Sequence, residues 1–459
     1  MTTQFSRLKL DPALLGNLKT LGYLQMTPIQ AESLPHLLNG RDLIARAKTG
    51  SGKTVAFGLG LLNLLDQNSF AIQALVLCPT RELADQVAKE LRRLARTSAN
   101  TKIVTLCGGT PFGPQISSLE HGAHIVVGTP GRILKHLNKQ TLSLDTIRAV
   151  VLDEADRMLD MGFHEDMTTI LSTTPPQRQT LLFSATYPDS IRKLSTAFQR
   201  DPLEVTVDTQ HSAMKIKQLF YEVEKGKRNK TLAALLAQYK PVSSVIFCHT
   251  KAQCREVTDE LRKLGIPALA LHGDLDQKDR DQILVRFANR SAPVLVATDV
   301  AARGLDIKEL EAVINYELPR EAEIYTHRIG RTGRAGSKGL ALSLFSASEA
   351  NRVNAIETSL EMTPQMEHPR SLELPEGFTL TAPMVTLCIN GGRKEKVRPG
   401  DILGALTADN AVPALQVGKI DTFDHLTYVA IDRNIRKKAL RLLSEGRIKG
   451  RRFKVRLIQ

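Results

Sequence analysis

The chemistry that this sequence can perform is clearest at a glycine-rich octapeptide that directly follows the strand-like segment 42–45. The octapeptide consists of Ala47, Lys48, Thr49, Gly50, Ser51, Gly52, Lys53 and Thr54, a P-loop pattern with alanine in place of its first glycine. In such a loop the glycines let backbone N–H groups point at phosphate oxygens at the start of the next helix. Lys53 then reaches the β- and γ-phosphates, and the Thr54 hydroxyl coordinates Mg²⁺. The octapeptide therefore predicts a nucleoside triphosphate site.

Two adjacent carboxylates end a second apolar segment further along the chain, at 149–153. A carboxylate at the end of a buried strand is typical of the second Mg²⁺-holding group of P-loop enzymes, which makes Asp153 the candidate. Glu154 is then placed to orient or deprotonate an attacking water. The alternative is an acidic helix N-terminus, but that does not explain why the acids follow a buried strand in a chain with a P-loop.

Short apolar segments that alternate with helix-like segments must position these residues. The clearest apolar segments are 74–78, 124–128, 149–153, 244–248, 267–272, 293–299 and 311–317. Because they are continuous runs rich in Val, Ile and Leu, they are typical of strands buried on both faces of a parallel sheet. The alternation predicts an α/β fold. A polar hinge at 208–218 and a proline-containing linker at 361–383 would separate domains at 1–207, 219–360 and 384–459.

Residues 153–156 read DEAD, and with the other motifs in order they make residues 5–340 resemble the DEAD-box ATP-dependent RNA helicases. The resemblance implies two tandem RecA-like parallel-sheet domains. Residues 22–30 resemble the family's adenine-reading motif, in which Gln30 would hydrogen-bond the adenine edge and Tyr23 would stack on the ring. Phe5 lies where the family has an isolated aromatic residue. The implied cofactors are ATP and Mg²⁺.

The resemblance also assigns RNA contacts to motifs that follow predicted strands, where open α/β sheets bind ligands. Those in the first domain are Pro79, Thr80, Arg81, Gly108, Gly109, Thr129 and Arg132; those in the second are Gly273, Arg280 and Thr298. Asp156, Ser184, Thr186 and His327 would couple the nucleotide to the RNA side.

Residues of the second domain would complete the nucleotide site. By the same resemblance, Gly304 and Asp306 would contact the nucleotide, with Asp306 on the ribose, while Arg331 and Arg334 would act as arginine fingers. Arg328 taken alone is typical of a solvated basic helix. Because the P-loop and these arginines belong to different domains, hydrolysis would require closure, promoted by ATP and RNA together. Closure that bends one strand would separate the two strands of a duplex locally. The enzyme would not need to track along the RNA.

The basic charge is concentrated at the end of the chain. The formal net charge is +14, and residues 384–459 hold 16 Lys and Arg against 7 Asp and Glu. This segment predicts the order β-α-β-β-α-β of a small ferredoxin-like, RRM-like RNA-recognition module. Its candidate RNA-binding residues are Arg393, Lys394, Lys396, Lys419, Tyr428, Arg447, Lys449 and Arg451. Because Tyr428 is the only aromatic residue of its strand, base stacking across the sheet is not favoured, and dense basic loops favour phosphate binding.

The end segment also resembles the C-terminal domain of the bacterial DbpA subgroup. That resemblance implies docking on large-subunit ribosomal RNA during ribosome assembly. An ATP-gated RNA clamp without productive unwinding uses the same motifs and stays open as an alternative, as does a DNA-directed helicase. No apolar segment approaches the roughly 18 to 20 residues of a membrane span, and the N-terminus is unlike a signal peptide. Scattered cysteines fit a reducing cytosol, so we expect a cytoplasmic protein. We expect neither a membrane nor an obligate protein as a binding partner.

Overall fold

Two parallel sheets and one small antiparallel sheet make up the computed structural model, which describes residues 3–47, 50–98, 100–207, 216–224, 226–302, 310–333, 339–408 and 411–458. The chain divides into two units, one containing the described residues up to 207 and one containing those from 216 onward. The small sheet belongs to the second unit.

The first unit is a parallel sheet covered by helices on both faces. Its strands are β1 (Leu43–Arg46), β2 (Ala74–Leu77), β3 (Ile103–Leu106), β4 (Ile125–Gly128), β5 (Ala149–Asp153), β6 (Gln179–Ser184) and β7 (Leu203–Thr206). Its helices are α1 (Pro12–Thr20), α2 (Pro28–Leu38), α3 (Lys53–Leu64), α4 (Arg81–Leu94), α5 (Phe112–Glu120), α6 (Pro130–Asn138), α7 (Ala155–Asp160), α8 (His164–Ser172) and α9 (Asp189–Phe198). The strand order is β3-β4-β2-β5-β6-β1-β7.

Burial of alternate strand residues on opposite faces explains this layering. Val76 and Val151 lie in a core shared with α3 and α4, whereas their neighbours Leu75 and Val150 lie in a second core shared with α6 and α8. Strands buried on both faces read as continuous apolar runs, as the sequence predicted.

The second unit repeats the parallel architecture. Its strands are β8 (Ile216–Glu222), β9 (Ser244–Cys248), β10 (Ala268–Leu271), β11 (Val294–Thr298), β12 (Ala312–Asn315), β13 (Gly339–Phe345) and β14 (Gln365–Glu367), in the order β10-β11-β9-β12-β13-β8-β14. Its helices are α10 (Arg228–Tyr239), α11 (Lys251–Lys263), α12 (Gln277–Ala288), α13 (Asp299–Ala302), α14 (Ala322–Ile329) and α15 (Ala350–Leu360). The segment expected to be a linker adds the edge strand β14 and packs Phe378 and Leu380 against this core.

The end segment forms the antiparallel sheet. Its strands are β15 (Met384–Ile389), β16 (Val417–Thr422), β17 (Thr427–Asp432) and β18 (Val455–Ile458), and its helices are α16 (Pro399–Thr407) and α17 (Arg436–Glu445). The strand order β16-β17-β15-β18 is that of a ferredoxin-like module. One face of this sheet packs on α16 and α17 through Leu387, Val429 and Ile431.

The other face of the small sheet is covered by α12 of the same unit. Cys388 and Tyr428 form an apolar cluster with Val285. Asn289 Nδ2 donates to Thr386 Oγ1 at 3.2 Å, and the hydroxyls of Ser291 and Thr386 lie 2.7 Å apart. The sheet face on which RNA-recognition modules stack bases is therefore an internal contact here.

The α/β fold class with two RecA-like sheets and a small α+β module is confirmed. The bounds of β5 and β9 match the predicted segments 149–153 and 244–248 residue for residue. Most of the predicted hinge lies outside the described residues. All five cysteines are buried and free. In the part of the chain that the structure describes, no helix is long and apolar enough to cross a membrane.

Candidate functional site

The glycine-rich loop leaves the carboxyl end of β1 and enters α3. Gly52 has φ +99°, and a Cβ there would lie 2.5 Å from Gln30 Nε2, so a side chain would need both a strained backbone and displaced neighbours. Lys53 is the first residue of α3 and is buried, with Thr54 next to it and the side chain of Ser51 partly covered. Ala47 is buried and its N–H donates to Ser184 O at 3.1 Å. Lys48 and Thr49 lie outside the described residues.

The predicted adenine-reading segment contacts this loop. Gln30 Nε2 donates to Gly52 O at 3.1 Å, while Thr27 N–H donates to Gln30 Oε1 at 2.9 Å. The Gln30 amide thus caps α2 and contacts the phosphate loop with the same side chain. Phe5 is buried in the apolar core that contains residues of α2 and α3. The Tyr23 hydroxyl donates to Glu90 at 2.7 Å, and burial together with this bond raises the pKa of Tyr23 to about 12.

The two carboxylates after β5 occupy different environments. Asp153 is buried, and burial, opposed by nearby Lys53, raises the pKa of this carboxyl to about 6. Its Oδ1 has no hydrogen-bond partner within the described residues. Glu154 has φ +54° and ψ +51°, a left-handed conformation that is strained for a residue with a side chain. Arg157 Nη1 donates to Glu154 Oε2 at 2.7 Å, and both side chains are buried. Such a pair holds the Glu154 carboxylate in place.

Asp156 joins the end of β5 to the end of β6. Its Oδ2 accepts hydrogen bonds from Ala185 N at 3.1 Å, Thr186 N at 3.0 Å and Thr186 Oγ1 at 3.0 Å. Burial acts to raise the pKa of Asp156, but the bonds from Thr186, together with Ser184 and the charge of Arg157, hold the pKa below its ordinary value. Ser184 is fully buried and pairs in register with Arg46 of β1. The carboxyl ends of β1, β5 and β6 therefore bring the loop, the acidic residues and segment 184–186 to one edge of the sheet.

The predicted RNA motifs of the first unit lie at the carboxyl ends of β2, β3 and β4. Arg81 packs over the glycine pair: a Cβ on Gly109, at φ +73°, would lie 1.6 Å from Arg81 Nη1. Only glycine leaves room for that guanidinium. Pro79 and Thr80 are buried at the start of α4, where Leu83 N–H donates to Thr80 Oγ1 at 3.3 Å.

Arg132 follows the half-buried Thr129 at the start of α6 and is held by α5. Its Nη1 donates to Gln115 Oε1 at 2.8 Å and to Thr110 O at 3.2 Å. Gln115 Nε2 in turn donates to Cys107 O at 3.0 Å, next to Gly108. The structure brings these first-unit motifs together on one edge.

The second unit collects its predicted RNA residues at the ends of β10 and β11. Arg280 Nη2 donates to Ala301 O at 2.8 Å, and Ala301 N–H donates to Thr298 Oγ1 at 3.4 Å. Gly273 lies just beyond β10, whose Leu271 pairs with Ala297 of β11. Half-buried His327 is on α14, and half-buried Arg331 follows that helix. Gly304, Asp306 and Arg334 lie outside the described residues.

Arg328 is a buried residue, so the interpretation of it as a solvated helix residue is wrong. Its side chain is 2% exposed and forms two hydrogen bonds of 2.7 Å with the Asp299 carboxylate. It also donates to Asn315 Oδ1 at 2.9 Å and to Glu317 O at 2.8 Å. A buried guanidinium needs this degree of pairing. The bonds fix α14, and with it the position of His327.

The basic residues of the end segment lie on exposed loops and edges. Arg393, Lys394, Lys396, Arg447, Lys449 and Arg451 are exposed. Lys419 is exposed on β16 and forms an ion pair of 3.0 Å with Asp421. Tyr428 is different: its side chain is buried beneath α12. No open face of the Tyr428 ring is left for a base to stack on. Tyr428 is therefore inaccessible, whereas the other predicted RNA-binding residues of the end segment are exposed.

Sequence reasoning missed the residues that support these side chains. Arg157 and Gln115 each hold a predicted site residue by a short hydrogen bond, and Asp299 holds Arg328, which lies next to the predicted residue His327. Arg157 lies one helical turn after Glu154, so its i,i+3 spacing was a usable signal. Gln115 and Asp299 contact partners distant in sequence, and nothing in the sequence indicated those contacts.

Comparison with known proteins places this geometry in a family. The family profiles that match are DEAD/DEAH box helicase over residues 27–194, Helicase conserved C-terminal domain over 226–336, and DbpA RNA binding domain over 386–457. "ATP-dependent RNA helicase DbpA" of Escherichia coli K12 is 54% identical over 458 residues, 100% of both chains. "DEAD-box ATP-dependent RNA helicase CshA" of Bacillus cereus is 44% identical over 377 residues, 82% of this chain and 72% of that protein.

A solved structure has the same helicase architecture. S. cerevisiae Dbp5 bound to RNA and ADP BeF3 matches with a TM-score of 0.73 at 30% identity, over 80% of this chain and 96% of that chain. The chain therefore belongs to the DEAD-box ATP-dependent RNA helicases, which are ATP-hydrolysing enzymes. Within that family, identity over the full length and the matching RNA-binding domain make it a DbpA-type helicase.

The raised pKa of Asp153 gives a prediction about stability. The folded chain binds this proton more tightly than the unfolded chain, because the folded-state pKa of about 6 exceeds the ordinary 3.8. The ionised carboxylate therefore destabilises the ligand-free fold above pH 6, by at most about 3 kcal/mol, and this cost disappears as the pH falls towards 4. We expect Asp153→Asn to raise the melting temperature at pH 8, with the advantage shrinking between pH 6 and 4.

Thermal unfolding followed by circular dichroism at several pH values measures this effect. Asp189→Asn is the matched control, because the Asp189 side chain is 88% exposed, and it should leave the melting temperature unchanged. An Asp153→Asn chain that melts below the parent at pH 8 would contradict the dominance of burial.

Proposed function

We propose that this helicase hydrolyses ATP at the edge formed by β1, β5 and β6 and uses the cycle to separate short RNA duplexes locally. The observation that carries the proposal is the Asp156 carboxylate, which ties the acidic segment after β5 to Thr186 after β6. A change on the RNA side that moves segment 184–186 would reach Glu154 through two intervening residues.

The residues present fit a Mg²⁺ ion. Asp153 Oδ1 is a buried carboxylate oxygen without a hydrogen-bond partner in the described residues, and carboxylate oxygens are preferred Mg²⁺ ligands. Thr54, the second residue of α3, would supply its hydroxyl. Asp153 and Thr54 would hold the ion, which when bound would supply positive charge that neutralises the negative charge developing on the phosphates. The raised pKa of Asp153 means that this carboxyl favours a proton or a cation over remaining bare.

The chain's own side chains would do the rest of the chemistry. Lys53 would hold the phosphates, and Gln30 would read the adenine edge from a position already in contact with Gly52. Glu154, held by Arg157, would orient the attacking water and accept its proton. Arg331, with Arg334 and Asp306, would complete the site from the second unit, so hydrolysis would need both units together.

RNA would bind to the strand ends of both units. Arg81 and Arg132 would contact phosphates from the first unit, and Arg280 and Thr298 would do so from the second. Binding of RNA and ATP would each favour closure, and release of phosphate would reverse it. The similar Dbp5 structure, bound to RNA and ADP BeF3, supports pairing of the two ligands in one state.

The end segment would direct the enzyme to its RNA. Its exposed loops 391–398 and 447–452 would bind phosphates of structured large-subunit ribosomal RNA, which would place the enzyme in ribosome assembly. The full-length similarity to a DbpA helicase supports this target. Tyr428 has no part in the proposed contact, because α12 covers it. A cytoplasmic location remains a prediction.

Glu154→Gln tests the catalytic assignment. Loss of the general base should lower RNA-stimulated ATP turnover by about 10²- to 10⁴-fold, with nucleotide affinity changed only a few-fold. Glu165→Gln, an exposed carboxylate on α8, is the matched control and should hydrolyse ATP at the parent rate. ATP turnover and strand displacement should be measured in parallel, because an RNA clamp would bind RNA with ATP but displace no strand in the parent chain. Parent-like turnover by Glu154→Gln would show that the base is elsewhere.

A second prediction tests whether the basic loops, rather than the other cations of the end segment, select the RNA. Replacing Arg393, Lys396, Lys449 and Arg451 by alanine should remove the preference for large-subunit ribosomal RNA over an unrelated structured RNA in ATPase activation. Saturating single-stranded RNA should still activate fully. Replacing exposed Lys437 and Lys438 on α17 is the control and should preserve the preference. If the loop variant kept its selectivity, the target would be read by another surface.

A further inference from the structure

A half-buried aromatic ring on α5 is surrounded by three cations from the region of α6. Arg132 Cζ, Lys135 Nζ and Lys139 Nζ lie 5.5, 5.5 and 5.4 Å from the centroid of the Phe112 ring. The imidazole of His136 stacks on the ring, with centroids 4.1 Å apart and planes inclined by 22°. We call the three cations Arg132, Lys135 and Lys139 the α6 basic row; the ring of Phe112 lies beside all three.

The α6 basic row has unbalanced positive charge. The segment 121–144 contains no Asp or Glu. The Lys and Arg residues of this segment are the three cations of the row. Within the described residues none of the three forms an ion pair, although the Asp166 carboxylate approaches the start of α6 near Gly131. Burial, followed by the charges of Arg132 and Lys135, lowers the pKa of His136 to about 4. His136 therefore stays neutral at pH 7 and adds no charge to the row.

The members of the row differ in how firmly they are held. Arg132 is fixed by its bonds to Gln115 and Thr110. Lys135 and Lys139 are exposed, and neither ammonium donates a hydrogen bond within the described residues. Their positions three and seven residues after Arg132 place them along one side of the helix, over about 10 Å at 1.5 Å per residue. The row thus runs outward from the motif proposed to hold the RNA strand.

The chemistry of the row favours a nucleic-acid backbone rather than a base. Stacking a base needs an open aromatic face, but His136 covers one side of the Phe112 ring and the cations lie around it. A row of cations instead matches closely spaced phosphates, and duplex carries twice the axial charge density of one strand. Phe112 would hold the cations by cation–π attraction.

We propose that Phe112, Lys135 and Lys139 form a subsite for the phosphate backbone of the duplex arm that flanks the strand held by Arg81 and Arg132. The inference rests on the proposed RNA-unwinding function and adds to it a second RNA contact on the first unit. Anchoring the arm beside the gripped strand holds the duplex junction near the site of strand separation. The subsite contributes affinity for the substrate and leaves ATP chemistry unchanged.

The test uses the full chain with a non-hydrolysable ATP analogue and three RNA probes. The probes are a short oligouridylate, the same strand with a 5′ hairpin, and the same strand with a 3′ hairpin. For Lys135→Ala/Lys139→Ala, the slope of log affinity against log salt concentration should fall by about 1.4 to 1.8 for at least one hairpin probe. The slope for the oligouridylate should match the parent. Lys19→Ala/Lys193→Ala, two exposed lysines on α1 and α9, is the matched control and should match the parent on all probes.

Phe112→Leu provides an independent readout because it keeps an apolar side chain and removes the aromatic face. We expect a two- to fivefold loss of affinity for the same hairpin probe. Equal slopes for the double-lysine variant and the parent on both hairpin probes would overturn the subsite, and so would an equal loss on the oligouridylate. A separate measurement distinguishes failure of the subsite from failure of the proposed function. If oligouridylate did not stimulate ATP turnover by the parent chain, the proposed function itself would be overturned.

Discussion

The hydrogen bonds accepted by Asp156 are the contact on which the proposed chemistry of the first unit depends. A buried carboxylate is costly unless its oxygens are paired, and here one oxygen accepts three bonds from Ala185 and Thr186. Those bonds join the ends of β5 and β6. They also fix Asp156, which lies two residues after Glu154, a residue whose backbone has a strained left-handed conformation. The same interaction therefore ties the segment that contains Glu154 to segment 184–186, which is proposed to couple the nucleotide to the RNA side.

The second unit uses a comparable device in a different place. Buried Arg328 and half-buried Asp299 form a doubly hydrogen-bonded pair that holds α14 against the ends of β11 and β12. Breaking such a pair leaves an uncompensated buried charge, so the helix that carries His327 and precedes Arg331 has a fixed position. In both units one buried, fully paired charge stabilises the segment that bears the proposed function. Asp153 is the contrast, because its Oδ1 has no hydrogen-bond partner among the described residues, which fits the proposed role of a metal ligand rather than a support.

Much of this arrangement could be predicted from local patterns. Continuous apolar runs indicated the buried strands, and the P-loop and DEAD residues were found because their spacing reflects phosphate and Mg²⁺ chemistry. Predictions that depended on a distant packing partner were not accessible. Tyr428 has the composition of a base-stacking residue, and only the docking of α12 on its sheet removes it. Arg328 has the sequence context of a solvated helix, and its burial depends on Asp299, which lies 29 residues earlier in the chain.

The most direct test of the account is to measure strand displacement per ATP hydrolysed in Thr186→Val. This change keeps the shape of the side chain and removes one of the three bonds to Asp156, while Ala185 N–H and the N–H of residue 186 remain. If Asp156 links the two sides, nucleotide affinity should stay near that of the parent while strand displacement per ATP hydrolysed falls several-fold. Parent-like displacement per ATP would contradict the claim that this hydrogen-bond cluster carries the coupling.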